Sequence, residues 1–427
     1  MHHVSAGRGG RRGGGGRRLA VTTSLVVLFT ALPGTAAWAG GGSRTWVVHP
    51  GESIQAAVDR AASGDTIRIE AGTYQEAVCV AGKGLTIDGA GRDATRIVWP
   101  EWSTTADLPD VESNACWEAQ DDADPQSVPG TLADDVSGIF FLDPDGPVDV
   151  SHLSTWHHPA NGIAAWGADG FRVYKTKGHG HDRYGVLAAD STHVRIQRNI
   201  EEGVDRGTPD QPDSGTAGIG STDSDEAYAD IVANDVQGYN IGVFARESRV
   251  GQIRNNYVAG NCVGVLVFDD AATEVPDTSR EIEGGDWTIR SNESSANDRF
   301  CLAGIGEVEG ALRVSGTGVA VVNADHVGIH DNRIRDNRPA VDPATLQFPA
   351  AGVALLTLPP FNDQSGADPG PVTAVQVRGN TITGNSPVDV LRGWPPPLDA
   401  QFPPVGADVS VRGNTCTTSI PASICGS

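Results

Sequence analysis

The chain has a single methionine, Met1, and no cysteine pair at CxxC spacing. The first absence excludes the thioether-rich pattern of a soft-metal carrier. The second, with no Cys/His zinc-ligand spacing elsewhere, excludes a cysteine metal site. Positive charge is scarce: 31 Lys and Arg stand against 54 Asp and Glu, a formal net charge of −23. Such a surface repels polyanions and excludes nucleic acid as a partner unless a local basic patch or a cation intervenes. Helical periodicity is rare, and the LxxLxL of leucine-rich repeats is missing. Long apolar runs are lacking too. The run Leu19–Leu32 ends at Pro33 and is too short to cross a bilayer. No later segment is a transmembrane candidate, so no membrane span is expected.

What surrounds that run has the form of a targeting signal. Arg8, Arg11, Arg12, Arg17 and Arg18 precede it, and Ala37-Trp38-Ala39 supplies the small residues that signal peptidase needs. Residues 1–39 are read as a signal peptide cleaved near Ala39, and residues 40–427 as one secreted domain, expected to be a monomer. Arg17-Arg18 before Leu-Ala-Val leaves twin-arginine and ordinary export both open. Six cysteines remain in the mature part: Cys79, Cys116, Cys262, Cys301, Cys416 and Cys425. An even count in an exported chain indicates disulfides. Sequential pairing (79–116, 262–301, 416–425) is expected, because each bond then closes a local loop.

The chain is organised by a repeat of apolar, polar, apolar, two further residues, then Asn. "VRIQRN" holds Val194, Ile196 and Asn199; "ADIVAN" ends at Asn234, "GQIRNN" at Asn256 and "WTIRSN" at Asn292. "VGIHDN", "VQVRGN" and "VSVRGN" continue it through Asn332, Asn380 and Asn414, and an earlier copy, "FRVYKT", carries Thr176 at the Asn place. Gly followed by apolar residues interleaves with it at Gly162, Gly185, Gly218, Gly242, Gly264, Gly318 and Gly352. The tightest copies are 22 or 23 residues apart, and wider gaps hold Pro-, Asp- and Gly-rich inserts such as "RGTPDQPDSGT". Alternation over four positions is a short half-buried strand. Gly and Asn are expected at the bends, where left-handed backbone is needed. A unit this small buries its apolar face only by stacking on its neighbours, which predicts parallel strands and aligned Asn ladders. The fold class is therefore all-β, a parallel β-helix solenoid. "SIQAAVDRAASGDTI" predicts a short N-terminal capping helix, with Ser53 as N-cap, Gly64 at its end and Ile54, Ala57, Val58 and Ala61 on one face.

With "ESIQAAVDRAASGDTIRIEAGTYQEAV" at its front and the Gly-apolar and Asn repeats behind, the chain resembles the right-handed parallel β-helix, or pectin-lyase-like, superfamily. Through "GNCVGVLVFDD" and "GNTCTTSIPASIC" it resembles secreted actinobacterial β-helix-repeat proteins. The resemblance covers most of residues 45–425. It implies lyases, hydrolases, esterases or epimerases of polysaccharides, alongside members with no known reaction.

One stretch gathers acid, base and anion-binding groups more densely than any other: "YKTKGHGHDRYGV", residues 174–186. Its "GHG", Gly178-His179-Gly180, matches one motif of polygalacturonase-type glycosidases, but the clustered aspartates those enzymes need are absent from the adjoining coil. Stacking at a 23-residue shift sets His158 beneath His181, Glu202 above His179, Glu201 above Gly178 and Asp205 above Asp182. One wall is then expected to carry Lys177, His179, His181, Asp182, Arg183 and Glu202 as catalytic residues, with His158, Tyr184 and Trp156 as substrate contacts. A histidine with a carboxylate neighbour serves as a general base, and Lys177 or Arg183 would neutralise a uronate carboxylate. That is the chemistry of β-elimination or C5-epimerisation. The bland alternative is a solvated polar turn. Two acidic clusters, Asp121-Asp122-Asp124 and Asp223-Asp225-Glu226, are read first as plain solvated loops, with oxygen ligands for Ca²⁺ as the alternative; no cofactor is certain. Trp102, Trp117, Trp156, Trp166 and Trp394 are candidate sugar-stacking rings or hydrophobic anchors. Two functions stay open: a lyase- or epimerase-like enzyme acting on polysaccharide, and a non-catalytic module binding glycan or the cell envelope.

Overall fold

A computed structural model describes residues 42–99, 136–208, 212, 214–270, 283–305, 308–340, 347–359 and 369–426. The expected signal peptide, Cys116, Trp102, Trp117 and the Asp121, Asp122 and Asp124 cluster lie outside these residues.

Short parallel strands stack coil upon coil into three sheets, as a parallel β-helix requires. Sheet I begins with Thr45–Val48 and Thr66–Ile69 and includes Phe171–Tyr174, Arg195–Gln197, Gly285–Arg290 and Ser410–Arg412. Sheet II is a stack of three- and four-residue strands, among them Thr95–Val98, Ser154–Trp156, Lys177–His179, Ile200–Glu202 and Asp235–Gln237. Sheet III carries the Gly-apolar motif in Ile163–Trp166, Tyr184–Ala189, Ala217–Ser224, Val263–Phe268 and Thr317–Val322. The expected register is observed: Ile163 pairs with Val186, Lys177 with Ile200, and Ile241 with Val263. Ile67, Ile69, Leu85, Ile87, Ile196, Ile231 and Ile253 all point inward and belong to one continuous apolar core. A helix at Ile54–Arg60 covers the first coil with Ile54, Ala57 and Val58, and Ser53 Oγ accepts the Ala56 N–H at 3.1 Å. It ends at Ala61 rather than at Gly64, whose positive φ instead forms the turn into Thr66–Ile69.

The Asn ladder runs from Thr176 through Asn199, Asn234, Asn256, Asn292, Asn332 and Asn380 to Asn414. At each step the backbone N–H of one member donates to the side-chain oxygen of the next at 2.8–3.0 Å. These bonds satisfy buried backbone groups at the tight turn between sheets I and II, where no strand partner is available. The left-handed residue is not the Asn. It is the residue before it: Lys175, Arg198, Ala233, Asn255, Ser291 and Asp331 all have φ near +55°. The repeat's glycines also act differently from expectation. A Cβ on Gly162, Gly264 or Gly318 would lie 2.5 Å from the carbonyl oxygen of the next glycine in the stack. They permit coils to approach, not the chain to bend.

A second ladder, missed in the sequence, lies five residues beyond the first. Tyr239 N–H donates to Asn261, Asn261 to Asn297, Asn297 to Asn337, Asn337 to Asn385 and Asn385 to Asp389, at 3.0–3.3 Å. The repeated N-x₄-N was its signal. Cys262–Cys301 and Cys416–Cys425 are disulfides, and Cys79 is also disulfide-bonded. The described residues contain no helix long and apolar enough to cross a membrane.

Candidate functional site

Strand alternation decides where the dense stretch goes. In sheet II the middle residue of each strand faces the core, so Thr155, Gly178, Glu201 and Val236 point in. Their neighbours Trp156, His179 and Glu202 form a column on the outer face, with Lys177 beside it. The expected wall is thereby divided between the outside of sheet II, the interior and the turn leading to sheet III.

On the outer face, Glu202 Oε2 takes the Lys177 ammonium at 2.8 Å and lies 3.1 Å from His179 Nδ1. Burial alone would raise the Glu202 carboxyl, but the hydrogen bonds and charges of Lys177 and His179 outweigh it and hold it below its ordinary value. It is the ionised partner that orients an imidazole. The Trp156 ring packs against His179 with centroids 4.4 Å apart, and its indole N–H donates to Ser154 Oγ at 2.8 Å. Arg96 and Lys177 both lie over that ring, 5.5 and 5.4 Å from its centroid, in cation–π contact. His157 meets His179 edge-on at 5.3 Å. The surface thus combines an aromatic ring, two cations and a carboxylate-oriented imidazole. Sequence reasoning missed Arg96 and His157, although Arg96 lies two coils below Lys177, with Ser154 between them.

His158 and His181, expected on the wall, are instead fully buried. Their rings stack at 5.6 Å, and the His158 backbone N–H donates to His181 Nδ1 at 3.2 Å. That bond leaves the His181 proton on Nε2, directed at Thr155 O and Oγ1, both at 3.1 Å. The two histidines occupy the column that Tyr239 and Asn261 continue, and His181 accepts there as a ladder Asn does. His158 Nε2 donates to Glu76 O at 3.1 Å. Burial pushes His158 down to about 4, and it pushes His181 well down, aided by the neighbouring imidazoles. Both are neutral parts of the frame, out of reach of a polymer. The same holds for Glu201, whose carboxyl is buried above Gly178 and Gly185, where a Cβ on either glycine would strike its Oε2. Among the described residues neither oxygen has a hydrogen-bond partner, and burial with the Glu202 charge raises the group well above its ordinary value.

The remaining candidates sit at the turn. Asp182 pairs with Arg206 of the "RGTPDQPDSGT" insert, and its backbone N–H donates to His158 O. Tyr184 begins the sheet III strand, and its ring covers Gly220 on that sheet's outer face. Asp182 and Tyr184 therefore do not join His179 and Glu202 on one surface, and Arg183 lies between them in the turn, its backbone N–H donating to Ala160 O at 2.9 Å. Among the aromatics, Trp394 is an anchor: it stacks on Phe402 at 3.7 Å and donates to Thr357 O at 2.7 Å. Trp166 packs against a small apolar cluster on sheet III. Asp225 and Glu226 border an open cleft of about 310 Å³ with Asp169 and Asp190. Asp223 is buried, and among the described residues no three His, Cys, Asp or Glu side chains are arranged to hold a metal.

Residues 161–415 match the family model described as the right handed beta helix region. No curated protein matches the chain. Among solved structures, Geobacillus virus E2 ORF18 is similar at 12% identity and TM-score 0.44, over 78% of this chain and 54% of that one. The chain therefore spans about half the length of that protein. The catalytic domain of a GH87 α-1,3-glucanase in complex with nigerose is similar at 14% identity and TM-score 0.41, over 87% of this chain and 69% of that one. Pectate lyase Pel9A is similar at 13% identity and TM-score 0.38, over 86% and 87%.

Proposed function

The chain belongs to the right-handed β-helix family, and from that premise we propose that it is a secreted protein acting on polysaccharide through the outer face of sheet II. Fold alone assigns no reaction. The observation that supports the reading is the His179–Glu202 pair, set beside Trp156 and two cations. The His179 side chain keeps 25% of its surface exposed, whereas His181 keeps none. The reaction is lyase- or epimerase-like. His179 Nε2 takes the proton from the carbon beside a uronate carboxylate, while Glu202 accepts from Nδ1 and stabilises the imidazolium. Arg96 and Lys177 offset the charge that builds on the carboxylate as the enolate forms. In elimination the electron pair then forms the ring double bond, the bond to the departing glycosidic oxygen breaks, and the imidazolium or water protonates that oxygen. In epimerisation a water on the other side returns a proton to the same carbon, and the imidazolium gives up its own to solvent.

The second reading is a non-catalytic module that binds glycan through the same face. It is favoured by the way Asp182 and His181 turn away, which leaves no second acid beside His179 from the expected set. Proton NMR in D₂O with uronate and neutral polysaccharides separates the two. The catalytic reading expects a vinylic resonance or deuterium at C5, lost in His179→Gln and Glu202→Gln. Unchanged spectra over glycans that nevertheless bind would leave the binding module.

A further inference from the structure

The outer face of sheet I changes character halfway along the stack. In the early coils each arginine column is neutralised by an aspartate one coil away. Arg68 pairs with Asp88, Arg172 with Asp149, and Arg195 and Arg254 both with Asp230. Beyond Arg254 the pattern stops. The parallel register places Arg290, His330, Arg378 and Arg412 directly above one another, one per coil. None of the three arginines has a carboxylate partner among the described residues: Arg290 reaches only Gln252 Oε1 at 3.3 Å, and Arg378 donates to His330 Nδ1 at 3.2 Å. Asp331, in the adjoining turn, is the acid whose charge reaches His330. Like charges opposite one another in a sheet are destabilising, and the early coils show how this fold avoids it. A chain of net charge −23 that leaves its cations stacked and unpaired has concentrated a positive field on one strip.

We propose that this strip binds a linear anionic polysaccharide lying along the stacking direction, with its acidic groups set against Arg290, Arg378 and Arg412. Strand spacing of roughly 4.8 Å makes the column about 14 Å long, and its step is close to the advance of one sugar in an extended chain. The neighbouring outward column, Gln252, Thr288, Gly328, Gln376 and Ser410, presents amides and hydroxyls suited to sugar hydroxyls at every coil but that of Gly328, which the His330 ring covers. It has no aromatic ring for base stacking, which a single-stranded nucleic acid would use. The strip belongs to a different sheet from Trp156, Lys177, His179 and Glu202, so it is a holding surface separate from the reactive face.

The test uses the whole chain against immobilised polygalacturonate, dextran sulfate, neutral dextran and duplex DNA, at low and high salt. The proposal expects retention on polygalacturonate, dextran sulfate or both, little on dextran, and loss at high salt. Which of the two retains it identifies carboxylate or sulfate as the recognised group. Arg290→Gln/Arg378→Gln/Arg412→Gln should weaken binding by about tenfold or more, the corresponding triple Lys variant should retain most of it, and Arg172→Gln, at an arginine already paired with Asp149, should bind as the parent does. The proposal is overturned if the parent binds neither anionic glycan, if the triple Gln variant binds undiminished, or if DNA is held more tightly than both.

Discussion

Exchange of His158 for glutamine removes one imidazole from the interior while keeping an N–H that can reach the Glu76 carbonyl. In the unfolded chain an imidazole binds its proton near 6.5; inside the fold His158 binds it only near about 4. Between those values the unfolded state carries more protons, so stability falls as the pH falls. The loss starts near 6.5 and levels off near 4. At about 1.4 kcal/mol per tenfold difference, His158 accounts for about 3 kcal/mol, a large share of the 5–15 kcal/mol typical of a domain. His181 adds in the same direction, since burial lowers it further. At neutral pH the variant should be less stable than the parent by about 1 kcal/mol, through poorer hydrogen-bond geometry. On acidification it should lose less, so that the two stabilities converge and then cross. Urea midpoints measured from about pH 7.5 down to about pH 4 give both curves. Surface carboxylates titrate in both proteins, so the difference between the curves isolates the imidazole. Midpoints that fall in parallel would show that His158 takes up its proton in the folded state, and the account of the interior would be wrong.

Glu201 titrates with the opposite sign. Its folded form holds the proton above the ordinary carboxylate range, so its contribution is fully present at acid pH and is lost as pH rises through its folded value. Glu201→Met should therefore stabilise by about 1–3 kcal/mol at about pH 8 and by less at about pH 5 in the same urea assay. In the first ladder, Asn292→Ala leaves the Asn256 N–H and the Ile253 carbonyl buried without partners; it should cost about 2–4 kcal/mol. Asn414→Ala, at the half-exposed end, should cost less. Removing Cys262–Cys301 with two serines releases a 39-residue separation and should cost about 4 kcal/mol, against about 3 for Cys416–Cys425 with its separation of 9. Calorimetric midpoints of the two double-serine variants rank them.

The coil repeat was legible because its signal is local and repeated. An apolar-polar-apolar strand followed two residues later by Asn says which side is in and how coils register, and Val194, Ile196 and Asn199 sit where that logic places them. Stacking by 23 residues also brought Glu202 onto His179. The same arithmetic could not tell which face of the strand a stacked pair occupies. A three-residue strand flanked by tight turns shows no alternation long enough to set its phase, so His179 and His181 looked equivalent although one is outside and the other inside. A polar His in the ladder column was read as chemistry, when its backbone-accepting Nδ1 makes it a substitute for Asn. The stacked arginines of sheet I were hidden for another reason. Successive members of that column, Arg290, His330, Arg378 and Arg412, are 34 to 48 positions apart in sequence with inserts between, and only the register brings them together.

The most direct measurement is to compare His179→Gln with His181→Asn in the NMR assay on uronate polysaccharides. His181→Asn keeps an oxygen that accepts the His158 N–H, so it should fold and act as the parent does. His179→Gln should fold and lose the product resonance. The reverse outcome, with activity surviving at 179 and abolished by a well-folded change at 181, would place the chemistry in the interior and contradict the assignment of the reactive face to the outside of sheet II.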